Sequence, residues 1–336
     1  MKDTSSAMHH QAADHTWATM DSSGQACANF DRQLCKSNLS SRLRRSAWRR
    51  WAFAIIAFLL VNHAHAESKI VVSLKPIHSL VECVMHGVGE PILLVTDGAH
   101  PHGHLTSETV HAAIHEADII IWMGQPADAG LTAAIVSRRP SAHLVTLADI
   151  PDVVIPLSMM TAHAWLDPRN AIAMVETIAT TLSHADPDNA GVYRGNAAEL
   201  RNSLQRLDAD LRVDLAHLRQ TPFLIYDDAF QLFTRRYGLE GAYPLVIDPA
   251  LRQHLGGIDA ALLRSLRTDW QRMGIRCLFL EPRADHDFVR LLVDDIDILV
   301  TPLDPYGTGL PTGPKLYGDM MRAVSGSIVR CAANAS

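Results

Sequence analysis

Beyond residue 67 the chain alternates short apolar, β-branched runs with longer segments of helical periodicity. Residues 69–74 read as a strand and 76–86 as a helix. Residues 92–95 form a second strand that runs into Thr96-Asp97-Gly98. The segment 107–116 is amphipathic, with Ser107 placed as its N-cap. An apolar strand follows at 118–123, then a helix at 126–137 and a strand at 143–146. This alternation predicts a parallel α/β sheet, in which ligands bind at the carboxyl ends of the strands. The pattern changes over 187–219. There Tyr193, Leu200, Leu204, Leu207, Leu211 and Leu215 recur at mostly helical spacing, with no Gly or Pro after Gly195. One helix of roughly 30 residues is predicted, longer than most in globular domains. A coiled-coil arm would show the same periodicity, but a lone helix between two α/β halves reads as a rigid connector. Strands are then predicted at 223–226, 245–247, 277–280 and 298–302, with helices at 229–237, 259–273, 287–294 and 315–328. No sequence repeat is visible.

The first 66 residues do not join this pattern. Residues 42–50 are basic, 51–61 are an uninterrupted apolar run of 11, and Ala64-His65-Ala66 is a small-x-small cleavage pattern. That is the layout of a secretory signal peptide, and the run is too short for a membrane span. Arg44-Arg45 lacks the apolar follow-up of a twin-arginine signal, and no Cys stands at the cleavage point for a lipid anchor. Residues 1–41 are polar and aperiodic, as expected of a non-native or disordered extension ahead of a later start such as Met20. The expected organisation is therefore an extension at 1–41, a signal peptide at 42–66, an N-terminal α/β lobe at 67–185, a connector helix at 186–220 and a C-terminal α/β lobe at 221–336. The mature part is 270 residues, enough for two lobes of about 100–150 residues each. Eight of the 30 Lys and Arg and four of the 36 Asp and Glu precede residue 67, which leaves a mature net charge of −10. That balance disfavours nucleic acid as a partner and suits attraction of cations. No second long apolar run follows, so an exported, soluble mature protein is expected. Cys83, Cys277 and Cys331 lie in the mature part, where an oxidising compartment allows one disulfide among them. No CxxC is present to build a thiolate metal site.

Candidate chemistry gathers in four short stretches: Gly98-Ala99-His100-Pro101-His102, His163-Ala164-Trp165-Leu166-Asp167-Pro168, Tyr226-Asp227-Asp228-Ala229-Phe230 and Leu303-Asp304-Pro305-Tyr306-Gly307. Each places a His or Asp in a loop that reads as following an apolar, strand-like run. Two imidazoles and two carboxylates can together hold a divalent transition metal. Each also has a structural explanation: a solvated His102, a His163 packed beside an N-capping Asp167, one N-cap among Asp227 and Asp228, and a turn at Asp304. His111 and His115 share a helix face, but the sequence continues His115-Glu116 without a second His, so HExxH is absent. GxSxG, Walker and GxGxxG patterns are absent as well.

In this order and spacing the stretches resemble the metal-specific solute-binding proteins of bacterial ABC importers, the ZnuA-like family, over nearly all of residues 68–331. Gly98 to His102 is similar to the family's Gly-x-x-Pro-His loop, and His163 to Pro168 to its His-x-Trp-Leu-(Ser/Asp)-Pro motif. Asp186-Pro187-x-Asn189-x3-Tyr193-x2-Asn196 resembles its connector helix, Tyr226 to Phe230 its His-Asp-Ala-Tyr/Phe stretch, and Asp304-Pro305-Tyr306-Gly307 its Asp-Pro-Leu-Gly. The resemblance implies two α/β lobes joined by one rigid helix, with the metal in the cleft between them. It implies His102, His163, Asp227 and Asp304 as ligands, with Asp228 behind them, orienting a ligand or capping the following helix. It further implies a Cys277–Cys331 disulfide that leaves Cys83 free. The partners it implies are an ABC permease and its ATPase in the inner membrane, served by a monomer that is not an enzyme. Three departures stand out. Asp227 replaces the family's His or Glu, Gly103-His104 replaces an acidic residue and Tyr, and the His-rich loop before His163 is missing.

Two His and two Asp suit zinc, and as an oxygen-rich set they also accept manganese or iron(II). The Irving–Williams order favours zinc. Imidazole ligands must be neutral, so affinity is expected to fall below about pH 6.5, the ordinary His value. An exported metallohydrolase with Asp228 or Glu281 as general base would use the same residues, without motif support.

Overall fold

The computed structural model describes residues 68–95, 107–156, 163–226, 228–245, 260–282 and 284–334. They belong to one compact unit that begins at His65. Two sheets carry the fold. The first contains β1 (Ile70–Val72), β2 (Ile92–Leu93), β3 (Ile119–Trp122) and β4 (His143–Thr146). The second contains β5 (Phe223–Ile225), β6 (Ala242–Pro244), β7 (Cys277–Leu280) and β8 (Leu299–Pro302). All pairings are parallel, and the orders are β2-β1-β3-β4 and β6-β5-β7-β8. The same topology thus occurs twice in a chain whose sequence shows no repeat.

The helices are α1 (Lys75–Met85), α2 (Glu108–Glu116), α3 (Thr132–Val136), α4 (Pro168–Ala185), α5 (Ala190–Leu215), α6 (Gln231–Tyr237), α7 (Ala260–Arg272), α8 (His286–Val293) and α9 (Leu316–Asn334). Ser107 caps α2 by accepting the Val110 N–H, and Asp167 caps α4 by accepting the Arg169 N–H. The segment expected as one helix at 126–137 divides into a 3-10 turn at Ala129–Leu131 and the five-residue α3. Gly130 and the β-branched Thr132, Ile135 and Val136 give it little helical preference. Of the strand expected at 245–247, all but Leu245 lies outside the described residues; β6 ends just before it, at Pro244. Parallel pairing of Phe223 with Ala242 and of Ile225 with Pro244 sets the register, and Pro244 is tolerated because β6 is an edge strand.

Helix α5 separates the two sheets in sequence and spans about 39 Å at the helical rise. It buries Tyr193, Ala197, Leu204, Leu207, Leu211 and Leu215 against α4, α1 and α9. Its polar motif residues hold its start. Asp186 accepts from the Asn189 side chain at 2.7 Å and from the Tyr193 hydroxyl at 2.9 Å. Asn196 donates to the Val84 and His86 carbonyls at the end of α1.

One apolar core runs from the first sheet through α1, α4 and α5 to one face of the second sheet, where Phe223, Ile225 and Phe279 join it. The alternate residues Leu224, Leu278 and Leu280 face a separate cluster with Trp270 and Phe288, as the two-residue strand period requires. Cys277 of β7 and Cys331 of α9 form a disulfide, with Cα atoms 6.1 Å apart. Among the described residues Cys83 is the free thiol. Burial pushes it up to about 11, and it donates to the Pro314 carbonyl, so it is a structural contact rather than a nucleophile.

Candidate metal centre

In each sheet the chain order switches between two central strands, β1 and β3 in the first, β5 and β7 in the second. Ligand sites of open α/β sheets form at the carboxyl ends of the strands around such points. The segment after β2 contains His102, the segment after β5 contains Asp227, and the segment after β8 contains Asp304. His102 and Asp227 lie outside the described residues. His163 and Asp304 lie within them.

The His163 loop is rigidly held. Ala164, Trp165 and Leu166 form a 3-10 turn and are fully buried. Asn170 in the first turn of α4 clamps the loop from behind. Its amide donates to the Ala164 and Val154 carbonyls, and its Oδ1 accepts the Val154 N–H at 2.9 Å. From this hub contacts reach the C-terminal half. Trp165 Nε1 donates to the Pro305 carbonyl at 2.8 Å, and the Tyr317 hydroxyl of α9 donates to the Trp165 carbonyl at 2.7 Å. The His163 Nε2 lies 2.8 Å from the Tyr306 hydroxyl, and the two rings meet edge to face. Thus the second and fourth stretches, some 140 residues apart, form one buried aromatic and hydrogen-bonded unit.

A charge network reaches the helix that follows the third stretch. Asp167 accepts from the Arg169 guanidinium at 2.6 Å, and Arg236 of α6 approaches its other oxygen at 3.6 Å. Arg236 also pairs tightly with Asp208 of α5. The structural explanation for Asp167 therefore holds: it is an N-cap and an ion-pair partner. With Asp167 engaged by two guanidinium groups, His163 is the remaining candidate donor of its loop. Asp228 is exposed at the start of the 3-10 turn Asp228–Phe230, and the cap position of α6 falls on Phe230.

Asp304 is held by its own turn. Oδ1 accepts the Tyr306 N–H at 2.9 Å. Oδ2 accepts the Thr308 N–H at 2.6 Å and the Thr308 hydroxyl at 2.8 Å. Each carboxylate oxygen has two lone pairs. Oδ2 uses both in these bonds, whereas Oδ1 uses one of its two among the described residues. Preorganised carboxylates and imidazoles of this kind are the ordinary donors of zinc and of related divalent ions. Among the described residues no three His, Cys, Asp or Glu cluster as a metal site. Sequence reasoning missed Tyr306, whose contact with His163 spans 143 residues and has no local signal. It also missed Arg236 and the buried Asp128. Across the lobes, the buried Lys75 at the start of α1 donates to the Leu310 carbonyl at 2.9 Å, which fixes the segment after Asp304 against the first lobe.

Comparison with known proteins agrees with this architecture. The high-affinity zinc uptake system protein ZnuA of Paracoccus denitrificans is 28% identical over 311 residues, covering 80% of this chain and 93% of the relative. The protein of the same name in Brucella abortus is 26% identical, covering 78% and 91%. Among solved structures, a crystal structure of ZnuA superposes with a TM-score of 0.67 at 22% identity, covering 79% of this chain and 99% of that one. The periplasmic zinc-binding protein TroA of Treponema pallidum superposes with 0.66 at 18% identity, covering 80% and 99%. Both share the two-lobe α/β fold. Residues 70–331 match the family described as ZnuA, zinc-uptake complex component A, periplasmic, and the chain belongs to that family.

Proposed function

We propose that this chain captures zinc in the periplasm and delivers it to an ABC importer, with His102, His163, Asp227 and Asp304 as the ligands. The observation that carries this reading is the hub around Trp165. Through it the His163 loop is bonded to the Asp304 turn, and through Asp167 and Arg236 to the helix that follows Asp227. Such ties keep donors that are far apart in sequence at fixed mutual positions, and a metal site needs that. The relatives' names as zinc uptake proteins favour zinc as the cargo. Asp228 acts from behind the ligands, Asp227 replaces the usual His or Glu, and the exported chain works as a monomer with a membrane permease and its ATPase. Capture and delivery require no turnover of substrate.

The test is a competition titration of the chelator-stripped chain, residues 67–336, with zinc, manganese and iron(II) against a chromophoric chelator. One-to-one zinc binding is expected, with manganese weaker by orders of magnitude. His163→Ala and Asp304→Ala should each abolish tight binding. Undiminished affinity in both variants would refute the ligand set, and tight manganese binding would place the chain among the manganese carriers.

A further inference from the structure

Tyr306 touches both described candidate ligands. Its hydroxyl meets His163 Nε2 at 2.8 Å, and its backbone N–H meets Asp304 Oδ1 at 2.9 Å. His163 is only 4% exposed, and its ring packs against both Trp165 and Tyr306, with centroids 5.1 and 5.3 Å away. The resembling family motif, Asp-Pro-Leu-Gly, has Leu where this chain has Tyr306, so the hydroxyl is a feature of this chain's own site.

We propose that Tyr306 sets the metal affinity of the site: in the metal-free protein its hydroxyl occupies the Nε2 lone pair of His163 and must withdraw before a metal ion coordinates there. The proposal rests on the reading of His163 as a ligand. A neutral imidazole carries one in-plane lone pair, and when it lies on Nε2 the Tyr306 hydroxyl is the donor into it. That pair cannot accept a proton and bind a metal at once, so hydrogen bond and metal compete. The apparent dissociation constant is then the intrinsic one divided by the fraction of molecules in which Tyr306 has released His163. A neutral hydrogen bond of ordinary net strength sets that fraction at about one tenth to one half. Removing the hydroxyl should therefore tighten binding by about two- to tenfold. The competition acts at one nitrogen, so it reduces the affinity of every metal by the same factor. A hydroxyl that oriented the imidazole for binding would have the opposite effect on loss. A hydroxyl that coordinated the metal would, when lost, weaken manganese more than zinc, because manganese prefers oxygen donors.

The experiment compares the wild-type chain with Tyr306→Phe, which keeps the ring, and Tyr306→Leu, which restores the family residue. Zinc and manganese dissociation constants come from chelator competition, and His163 side-chain nitrogen shifts from 15N NMR of the metal-free proteins. Thermal unfolding verifies that each variant folds. The expected result is two- to tenfold tighter binding of both metals in both variants, together with a displaced Nε2 resonance before metal is added. Unchanged or weaker zinc binding in the Phe variant overturns the proposal, while loss of binding in His163→Ala leaves the ligand reading standing. Failure of the wild-type chain to bind zinc overturns both.

Discussion

Asp128 gives the sharpest stability prediction. It follows β3 in the first lobe, and its side chain is fully buried. Oδ2 accepts the Met123 N–H at 2.6 Å. Burial pushes its carboxyl from 3.8 up to about 7. The Ser73 hydroxyl and the backbone amides of Met123 and Gly124 oppose that rise more weakly. Ser73 acts as a nearby dipole, because neither its Oγ nor Asp128 Oδ1 has a hydrogen-bond partner among the described residues. With the folded value raised, the native state holds a proton that the unfolded chain releases between about pH 4 and pH 7. Its stabilising contribution is complete below about pH 4 and is lost as pH rises through 7. A shift of about three units is about 4 kcal/mol over that window. Asp128→Asn keeps the size of the side chain and an acceptor for Met123, and it stays neutral throughout. Urea unfolding of both proteins at half-unit steps from pH 4.5 to 8.5 measures the effect as a difference, in which the other titrating groups cancel. The variant should exceed the wild type by about 1 kcal/mol at pH 4.5 and by about 4 kcal/mol at pH 8. A pH-independent difference would refute the reasoning and show that Asp128 is ionised, or is solvated, across the whole range.

Two further outcomes are expected. Replacing Cys277 and Cys331 together by Ser should lower unfolding stability by about 4 kcal/mol, because the bond closes a loop with a sequence separation of 54; an unchanged urea midpoint would deny it that role. Trp165→Phe should cost about 1–3 kcal/mol, since it leaves the Pro305 carbonyl without its buried donor. Calorimetry of that variant with and without zinc would show whether the hub's loss reaches the metal.

The sequence revealed what local rules control. β-branched runs marked most strands, Ser107 and Asp167 marked helix starts, and leucine spacing marked α5. The motif of α5 was legible as a pattern, but its purpose was not: Asn196 serves the end of α1, more than 100 residues away. The repeated 2-1-3-4 strand order was also hidden, because topology depends on which strands pair and not on which residues recur. Ala242-Tyr243-Pro244 carries no strong strand signal of its own, and pairing with β5 makes it one, as tertiary context commonly does.

At the candidate site the same division separates donors from supports. His163 and Asp304 stood out in the sequence as candidates, because a His or Asp in a loop has a short list of roles. Tyr306, Arg236 and Lys75 could not, because each acts on a group more than 65 residues away. On the proposed reading these supports would set how tightly a metal is held. Among the described residues Tyr306 and Thr308 take three of the four lone pairs of Asp304, and the Nε2 of His163 faces a hydroxyl that the family's Leu would not supply. Two chains with identical ligands and different supports would therefore bind zinc with different affinity. For this chain, exchanging Tyr306 should change the affinity while leaving every ligand in place.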